Sequence, residues 1–521
     1  MELTFKIMCR HFLLIWIWSV SAATTTGQTM DYFYDPGFTP PNVIGGSSGS
    51  SANSILVHAD GRYTITGGFQ FNAPYSIKKG VRFFNDGSID ESFAIPGDPI
   101  SVSLMLFYQE GYLYRIPNTL VPVDANGIPP SAPFFDLSYV PYIPSAPPTP
   151  HVNMYQILED NRILVAGRFS PDTNNLEDRR QLVRVHPDGS PDLTFEPLKC
   201  EEPFHTNLID LYPTLDGKWM VTGEFNFIEG FESPNIARLN TDFSVDTTFQ
   251  SPFPDYTWSV RIIRGSHPQK LHGAIDDQNR LYISRIEPGF AYSLLGLKHL
   301  RLLADGSIDS TFQVGELAYY NINDGEHYPG SIFTIAFEPD GSLIIGGRFR
   351  TVDGQPRGNI AKLNQDGSLV QNVFHRQGAD TANWQNGSNP IINVPAVNRI
   401  VHLENGGLMV GGRFSRYDGH DQWGLVRLLP EPVSVEEHTR GSELKVFPNP
   451  AADYVWFEMP EEPAHEVWSL HVFDLTGALV LQESSRGSTT MQLSLTSLQT
   501  GMYVLQVSNG KSRYSQRIVK H

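Results

Sequence analysis

The chain has 521 residues, with 56 acidic against 38 basic side chains and a formal net charge of −18 at pH 7. A surface of that sign repels phosphate backbones and argues against a nucleic-acid partner. Glycine (45) and proline (38) are abundant and no long stretch is rich in Ala, Glu, Lys and Leu, so the composition points to an all-β chain of short strands and turns.

Residues 1–23, MELTFKIMCRHFLLIWIWSVSAA, set Lys6 and Arg10 ahead of an apolar run from Phe12 to Trp18, then small residues that allow cleavage after Ala22 or Ala23. This is the layout of a secretory signal peptide. The run is far shorter than the roughly 20 residues that span a bilayer, and no later run is longer, so no transmembrane segment is expected. Cys9 falls in the signal segment, which leaves Cys200 alone in the mature chain. An intrachain disulfide is thereby excluded. Without a second cysteine or a closely spaced histidine pair, no metal site and no cofactor are expected.

Next comes YFYDPGF (32–38), then GGSSGSSANS (45–54). The second contains Gly45-Gly46-Ser47-Ser48-Gly49, a formal match to a nucleophile elbow, but no helix could follow such a serine. It reads as a flexible linker, and no catalytic residue is assigned.

From residue 59 a hairpin signature recurs: ADGRYTITGGF (59–69), EDNRILVAGRF (159–169), LDGKWMVTGEF (215–225), DDQNRLYISRI (276–286), PDGSLIIGGRF (339–349) and ENGGLMVGGRF (404–414). A degenerate copy is SLMLFYQEGYLYRI (103–116) with LVPVDANGIPPSAPF (120–134). A second hairpin follows the first in each unit, ending in NDGSIDESF (85–93), PDGSPDLTF (187–195), TDFSVDTTF (241–249) and ADGSIDSTF (304–312). Asp-Gly between apolar runs is a strong hairpin signal, because tight turns that match strand twist need positive φ. Units of this length with four strands each are the signature of propeller blades. The expectation is a seven-bladed β-propeller of four-stranded antiparallel blades over residues 31–430.

The last unit stops at GLVRLLPE (424–431) without an Asp-x-x-Phe ending, and the stray copy is Asp35 to Phe38. The N-terminal segment is therefore expected to supply the fourth strand of the final blade, with Asp35 facing Arg427. An exposed pair of that kind contributes about 0 to 1 kcal/mol, less than the burial of Phe38 at about 1.5 to 3 kcal/mol.

The unit resembles the delta-60 repeat, a β-propeller family of secreted bacterial proteins. Beyond the polar stretch 431–443, which reads as a linker, the blocks VFPNPAADYVWFEM (446–459), VFDLTGALV (472–480) and LTSLQTGMYVLQVSNGKSRYSQRIVKH (495–521) resemble the C-terminal sorting domain of the type IX secretion system of Bacteroidetes. Their alternating strands and Asn-Pro, Thr-Gly and Asn-Gly turns read as a small β-sandwich over 444–521. The resemblance implies the type IX machinery as a partner and a secreted or cell-surface location.

Arg82, Arg184, Arg238, Arg301, Lys362 and Arg427 recur four residues before the second turn's Asp position. They form either a ring of cations for an anion or, since Asp90, Asp192, Asp246 and Asp309 follow four of them by eight residues, a repeated cross-strand ion pair. Aspartates such as Asp305 and Asp309 are expected in turns rather than around calcium, which needs six or more converging oxygens. Length variation falls on 170–180, 313–331 and 375–395. These carry Tyr319, Tyr320, His327, Tyr328, His375 and Trp384, either a surface for a glycan or a protein ligand or tolerated insertions with aromatics packed inward. The expected function is a binding or adhesion scaffold, not an enzyme. A polysaccharide-active glycosidase or lyase is the alternative.

Overall fold

The turn chemistry sets the architecture. At the first turn of the repeats the glycine takes a left-handed conformation, φ +82° at Gly61, +79° at Gly341 and +78° at Gly406, and the apolar runs on either side pair as antiparallel strands. A computed structural model describes residues 30–41, 51–69, 78–93, 95, 104–116, 119–130, 151–169, 180–201, 207–254, 260–266, 273–286, 297–321, 326–380, 395–432, 445–458, 467–474, 479–486, 490–508 and 513–521. The signal segment, Trp384 and residues 433–444 lie outside them. The chain divides into two units, Met1–Glu431 and Pro432–His521.

Among the described residues of the first unit, seven sheets are built on the same three-strand order. They are Ser51–Val57, Tyr63–Phe69 and Lys78–Phe83; Leu104–Tyr108, Gly111–Ile116 and Thr119–Val123; His151–Ile157, Ile163–Phe169 and Arg180–Val185; and Asn207–Pro213, Trp219–Glu224 and Ile236–Leu239. The fifth to seventh are Val260–Ile262, Leu281–Ile286 and Leu297–Leu302; Ser331–Phe337, Leu343–Arg348 and Ile360–Leu363; and Ala396–His402, Leu408–Arg413 and Leu425–Pro432. First strands are buried on both faces, as in Ser331–Phe337, and pack on neighbouring sheets. The seventh sheet packs on both the sixth and the first. Small residues permit this: a Cβ on Gly346 would lie 2.5 Å from Val397, and one on Gly411 2.8 Å from Ala52.

The seventh sheet has a fourth strand, Met30–Tyr34, beside Leu425–Pro432. Asp35 N–H continues the pairing to the Arg427 carbonyl at 3.0 Å. Elsewhere the fourth segment differs from the full strand expected. It makes a single bridge, such as Leu302 to Ile308, and one further bond, Asp309 N–H to the Arg301 carbonyl. The aspartate then ends the ladder: its Oδ1 accepts the N–H and hydroxyl of Thr311, and the Phe312 N–H closes a turn onto its carbonyl. This local capping outcompetes further ladder.

The repeated cations are ion-paired. Arginine Nε donates to Asp Oδ2 at 2.7 Å in Arg82–Asp90, Arg184–Asp192 and Arg301–Asp309, and at 2.6 Å in Arg238–Asp246 and Arg427–Asp35. The Arg427–Asp35 side chains are only 11% and 8% exposed, so the expectation of an exposed, weak pair is corrected. Removing one partner of a buried pair costs about 3–5 kcal/mol because the other charge is stranded. Each guanidinium also lies over the phenylalanine that ends the motif, 4.7 Å from the Phe312 centroid and 5.1 Å from Phe38. In Arg82, Arg238, Arg301 and Arg427 the Nη1 also reaches onward to the next sheet's second turn: Arg301 to the Gln365 carbonyl at 2.7 Å, Arg82 to Ala125 at 2.8 Å, Arg238 to Ala304, and Arg427 to Asn85 in the first sheet at 2.6 Å.

The described residues of the second unit form two sheets. Lys445–Phe447, Tyr454–Glu458 and Thr490–Ser494 form one; Leu479–Arg486, Val467–Phe473, Gly501–Ser508 and Arg513–Lys520, in that order, form the other. Both contribute to one core that includes Val455, Phe457, Leu470 and Leu505.

Burial alone would raise the Asp90 carboxyl, but hydrogen bonds from Ser92, Arg82 and Arg62 hold it at about 2. Asp192, Asp246 and Asp309 are held below the usual range in the same way. Burial also pushes the His58 and His299 imidazoles from 6.5 down to about 4. Both kinds of group have folded values below their unfolded ones, so each contributes stability that is present above its unfolded pKa and lost as pH falls through the folded one. The urea midpoint should be level above about pH 7, fall between about 6.5 and 4 through the histidines, and fall again toward about 2 through the aspartates. His58→Gln with His299→Gln should shrink the upper step to the part left by His402, whose imidazole burial also lowers; a midpoint level down to pH 4 in the parent chain would contradict the assignment.

Candidate ligand-binding face

At the ends of the sheets opposite the Asp-Gly turns, connections between sheets pair with the loops that join second to third strands. Cys200–Glu201 pairs with Phe227–Ile228, Leu317–Asn321 with Thr351–Val352, and Ala379–Asp380 with Arg416–Tyr417. Each of those loops is itself a tight hairpin whose turn holds an acid and a glycine, both with positive φ: Glu229-Gly230, Asp353-Gly354 and Asp418-Gly419. The acid exchanges two bonds with the incoming connection. Asp353 N–H donates to the Glu316 carbonyl at 2.8 Å while its Oδ1 accepts the Glu316 N–H at 2.8 Å. Asp418 and Gly378 repeat the exchange at 3.0 and 2.7 Å, and Glu229 and Lys199 repeat it again.

This second tier was missed by sequence reasoning, although its signal is there. Phe-x-x-x-[Asp/Glu]-Gly occurs as Phe225 to Gly230, Phe349 to Gly354 and Phe414 to Gly419, directly after the first-hairpin signature.

The tier is most elaborate between the fifth and sixth sheets. Leu317–Asn321 pairs on one side with Thr351–Val352 and on the other with Glu326–Pro329. Tyr319 faces Tyr328 in register, with rings stacked at 5.5 Å, and the Arg348 guanidinium lies 5.0 Å from the Tyr319 centroid. Tyr319 is thus covered and only 7% exposed; it supports the surface rather than presenting it. Tyr320 pairs with His327; His327 is exposed and Tyr328 half-buried.

Beside this hairpin is a cavity of about 580 Å³, lined by Lys298–Leu300, Phe312–Ala318 and His327–Gly330. It brings together His327 and Tyr328 with groups not singled out from sequence: Lys298, His299, Gln313 and Glu316. Ser284 Oγ lies 2.9 Å from His299 Nδ1, and with its imidazole depressed to about 4 by burial the ring is neutral at physiological pH. The site therefore mixes an ammonium, a carboxylate, an amide, a neutral imidazole and a tyrosine, a set suited to hydrogen bonding and ring stacking.

His375 is exposed but lies elsewhere, between Phe374, which stacks on Tyr32 at 5.4 Å, and Arg376, which donates to Asp31 at 2.8 Å. Trp384 is outside the described residues, as is most of 170–180. Among the described residues no group of three His, Cys, Asp or Glu side chains is placed to hold a metal, and no helix is long and apolar enough to cross a membrane.

Residues 445–521 match the family described as the secretion system C-terminal sorting domain. Residues 158–195, 215–249 and 338–369 match a β-propeller domain of unknown function, DUF5122. The chain is a repeat β-propeller protein with a type IX secretion sorting domain. The sorting domain marks the propeller for export by the system found in Bacteroidetes, to the cell surface or beyond it. No curated protein matches the chain.

Among solved structures, one described as PorZ, an essential bacterial surface component of the type IX secretion system of Porphyromonas gingivalis, shares 11% identity over 92% of this chain, with a TM-score of 0.39. The present chain spans 61% of that structure's length. The Pan2 WD40 domain of Neurospora crassa shares 10% identity over 74% of this chain and 90% of its own, TM-score 0.36. Apo AztD from Citrobacter koseri shares 9% over 85% and 97%, TM-score 0.21. Likenesses this slight assign no role to the propeller.

The reciprocal exchange predicts the effect of Asp353→Ala. Losing this solvent-exposed acceptor for the Glu316 N–H should cost about 0.5–1.5 kcal/mol locally and speed amide exchange in 316–321 several-fold, leaving the first sheet unchanged. Unaltered hydrogen exchange at Leu317 would show that the acid does not hold the connection.

Proposed function

We propose that the seven sheets are the blades of one closed propeller, sealed by Met30–Tyr34 and followed by a small two-sheet sandwich that serves as the sorting domain. Residues 1–23 act as a signal peptide for the first membrane, and the sorting domain is cut away in the 431–443 linker after export. The mature propeller is a binding or adhesion scaffold at the outer cell surface, and its ligand is a glycan or another surface protein.

The observation that carries this reading is the cavity beside the Tyr319–Tyr328 hairpin. It lies on the face where connections vary in length, and it joins an aromatic ring to converging polar groups, the usual make-up of a recognition site. Tyr328, His327 and Tyr320 are the proposed contacts, with Tyr319 supporting them and Trp384 and His375 reaching a large ligand from other connections. Hydrolysis of a glycan by the common route needs two carboxyl groups flanking the scissile bond. Glu316 is the one carboxylate among the described lining residues, which favours binding over an enzyme.

The test is a glycan and surface-protein binding screen on the exported chain, with a turnover assay on every ligand found. Tyr328→Ala should weaken binding about 30-fold, the equivalent of the roughly 2 kcal/mol of a buried aromatic anchor, without turnover in the parent. Unchanged affinity in Tyr328→Ala and His327→Ala would move the site elsewhere. Turnover abolished by Glu316→Gln would make the protein an enzyme.

A further inference from the structure

The outer edge of the fifth sheet is open where that of the third is closed. In the third sheet the connection that follows Phe195 turns back onto the last strand. Leu198 bridges Leu182, its N–H donating to the Leu182 carbonyl at 3.0 Å and its carbonyl accepting the Gln181 N–H at 2.8 Å. Lys199 then makes the exchange with Glu229, and Cys200 begins the pairing with Ile228. The fifth sheet keeps the same order after Phe312: Glu316 makes the exchange with Asp353, and Leu317 pairs with Val352. By that spacing Gly315 stands where Leu198 does. His299, two residues before Arg301, stands where Leu182 does, two before Arg184.

Gly315 does not turn back. A Cβ there would lie 2.0 Å from Asp353 Oδ2, so the backbone lies against that carboxylate. Amides beside it are committed to the sixth sheet, Gln313 N–H to the Asp366 carbonyl at 2.8 Å and Glu316 N–H to Asp353 at 2.8 Å. Leu297–Leu302 is an edge strand, and among the described residues no strand or bridge pairs with its outer side at His299. Backbone groups two residues apart on a strand point to the same side. The Arg301 carbonyl accepts the Asp309 N–H on the outer side at 2.8 Å, so the N–H and carbonyl of His299 face outward too. His299 and Gly315 both line the cavity of about 580 Å³.

A strand edge whose donor and acceptor open into a cavity is a template for another strand. The protein already uses a third strand in this way, since Met30–Tyr34 arrives from the other end of the propeller to pair with Leu425–Pro432. The volume suits a short extended segment, being within the range of about 300–1,000 Å³ usual for ligand sites.

We propose that this edge takes one extended segment of a partner polypeptide, laid beside His299 in the antiparallel sense that Leu198 shows and held by main-chain hydrogen bonds. The inference rests on the reading of the cavity as the ligand site and chooses a polypeptide over a glycan as its occupant. Alternate side chains of the segment fall toward the lining, which offers the apolar groups of Phe312, Val314 and Leu317 and the ring of Tyr328.

Linear peptides selected on the exported chain from a displayed library of random octamers are the probe, the tightest being resynthesised with one amide N-methylated at a time. Methylation at every second amide along the paired stretch should weaken binding about tenfold, the loss of one hydrogen bond, and at the amides between should leave it within about twofold. Bound peptide should slow amide exchange at His299 about tenfold and leave Leu113 of the second sheet unchanged. Affinity indifferent to which amide is methylated, or unaltered exchange at His299, would overturn the edge pairing. A library that yields no binder would overturn it as well, even where a glycan binds and Tyr328→Ala weakens that binding, a result that leaves the role of the cavity standing. Peptide affinity unchanged in Tyr328→Ala, with no glycan binder found, would remove the cavity as the site and this inference with it.

Discussion

Arg301 makes three contacts at once. Its Nε binds the Asp309 carboxylate within its own sheet, its face covers Phe312, and its Nη1 reaches the Gln365 carbonyl of the following sheet. A planar guanidinium with donors in fixed directions can do this; an ammonium, a single point of charge, cannot. The same clamp at Arg82, Arg238 and Arg427 joins consecutive sheets. The chain's one described cysteine, Cys200, is free and buried, so the clamps and the apolar seams between sheets must do what disulfides do in many exported proteins.

The sixth sheet lacks the clamp. Lys362 stands at the arginine position and Val370 at the aspartate position, and the ammonium turns instead to Glu338 at 3.2 Å. The junction with the seventh sheet is then stitched by the N-terminal strand. The Tyr32 hydroxyl donates to Glu338 at 3.1 Å, and Asp31 accepts the Phe374 N–H at 3.0 Å and Arg376 at 2.8 Å. That strand also carries Asp35 to Arg427 and so to Asn85 of the first sheet. One short segment thus serves two junctions. On the opposite ends of the sheets the acid-glycine hairpins hold the connections, which can then lengthen into a ligand face without loosening the sheets beneath.

Much of this was legible because it repeats. Asp-x-x-Phe after a fixed spacing from arginine gives the ion pair and its register, and the orphan copy at Asp35 gives the partner of Arg427. The onward reach of each arginine was not legible: the carbonyls it meets, of Gln365, Ala125 and Asn85, leave no side-chain signature. Nor was the loss of the fourth strand, because an aspartate that caps its own turn and one that sits in a ladder look alike in sequence. At the candidate site the aromatic content of 313–331 marked the stretch that lines much of the cavity. Tyr319 against Tyr328 could not be sorted into buried and presented, since that depends on Arg348 lying over one ring, and His299 and Lys298 come from a strand edge outside that segment.

Arg427 and Asp35 act as one unit that closes the chain on itself. A double-mutant cycle on the equilibrium unfolding of the exported chain measures this directly. Arg427→Ala and Asp35→Ala should each cost about 3–5 kcal/mol by stranding the other's charge, and the double variant should cost no more than the larger single loss. Losses that simply add, or singles each below about 1 kcal/mol, would show that the pair does not hold the N-terminal strand in place.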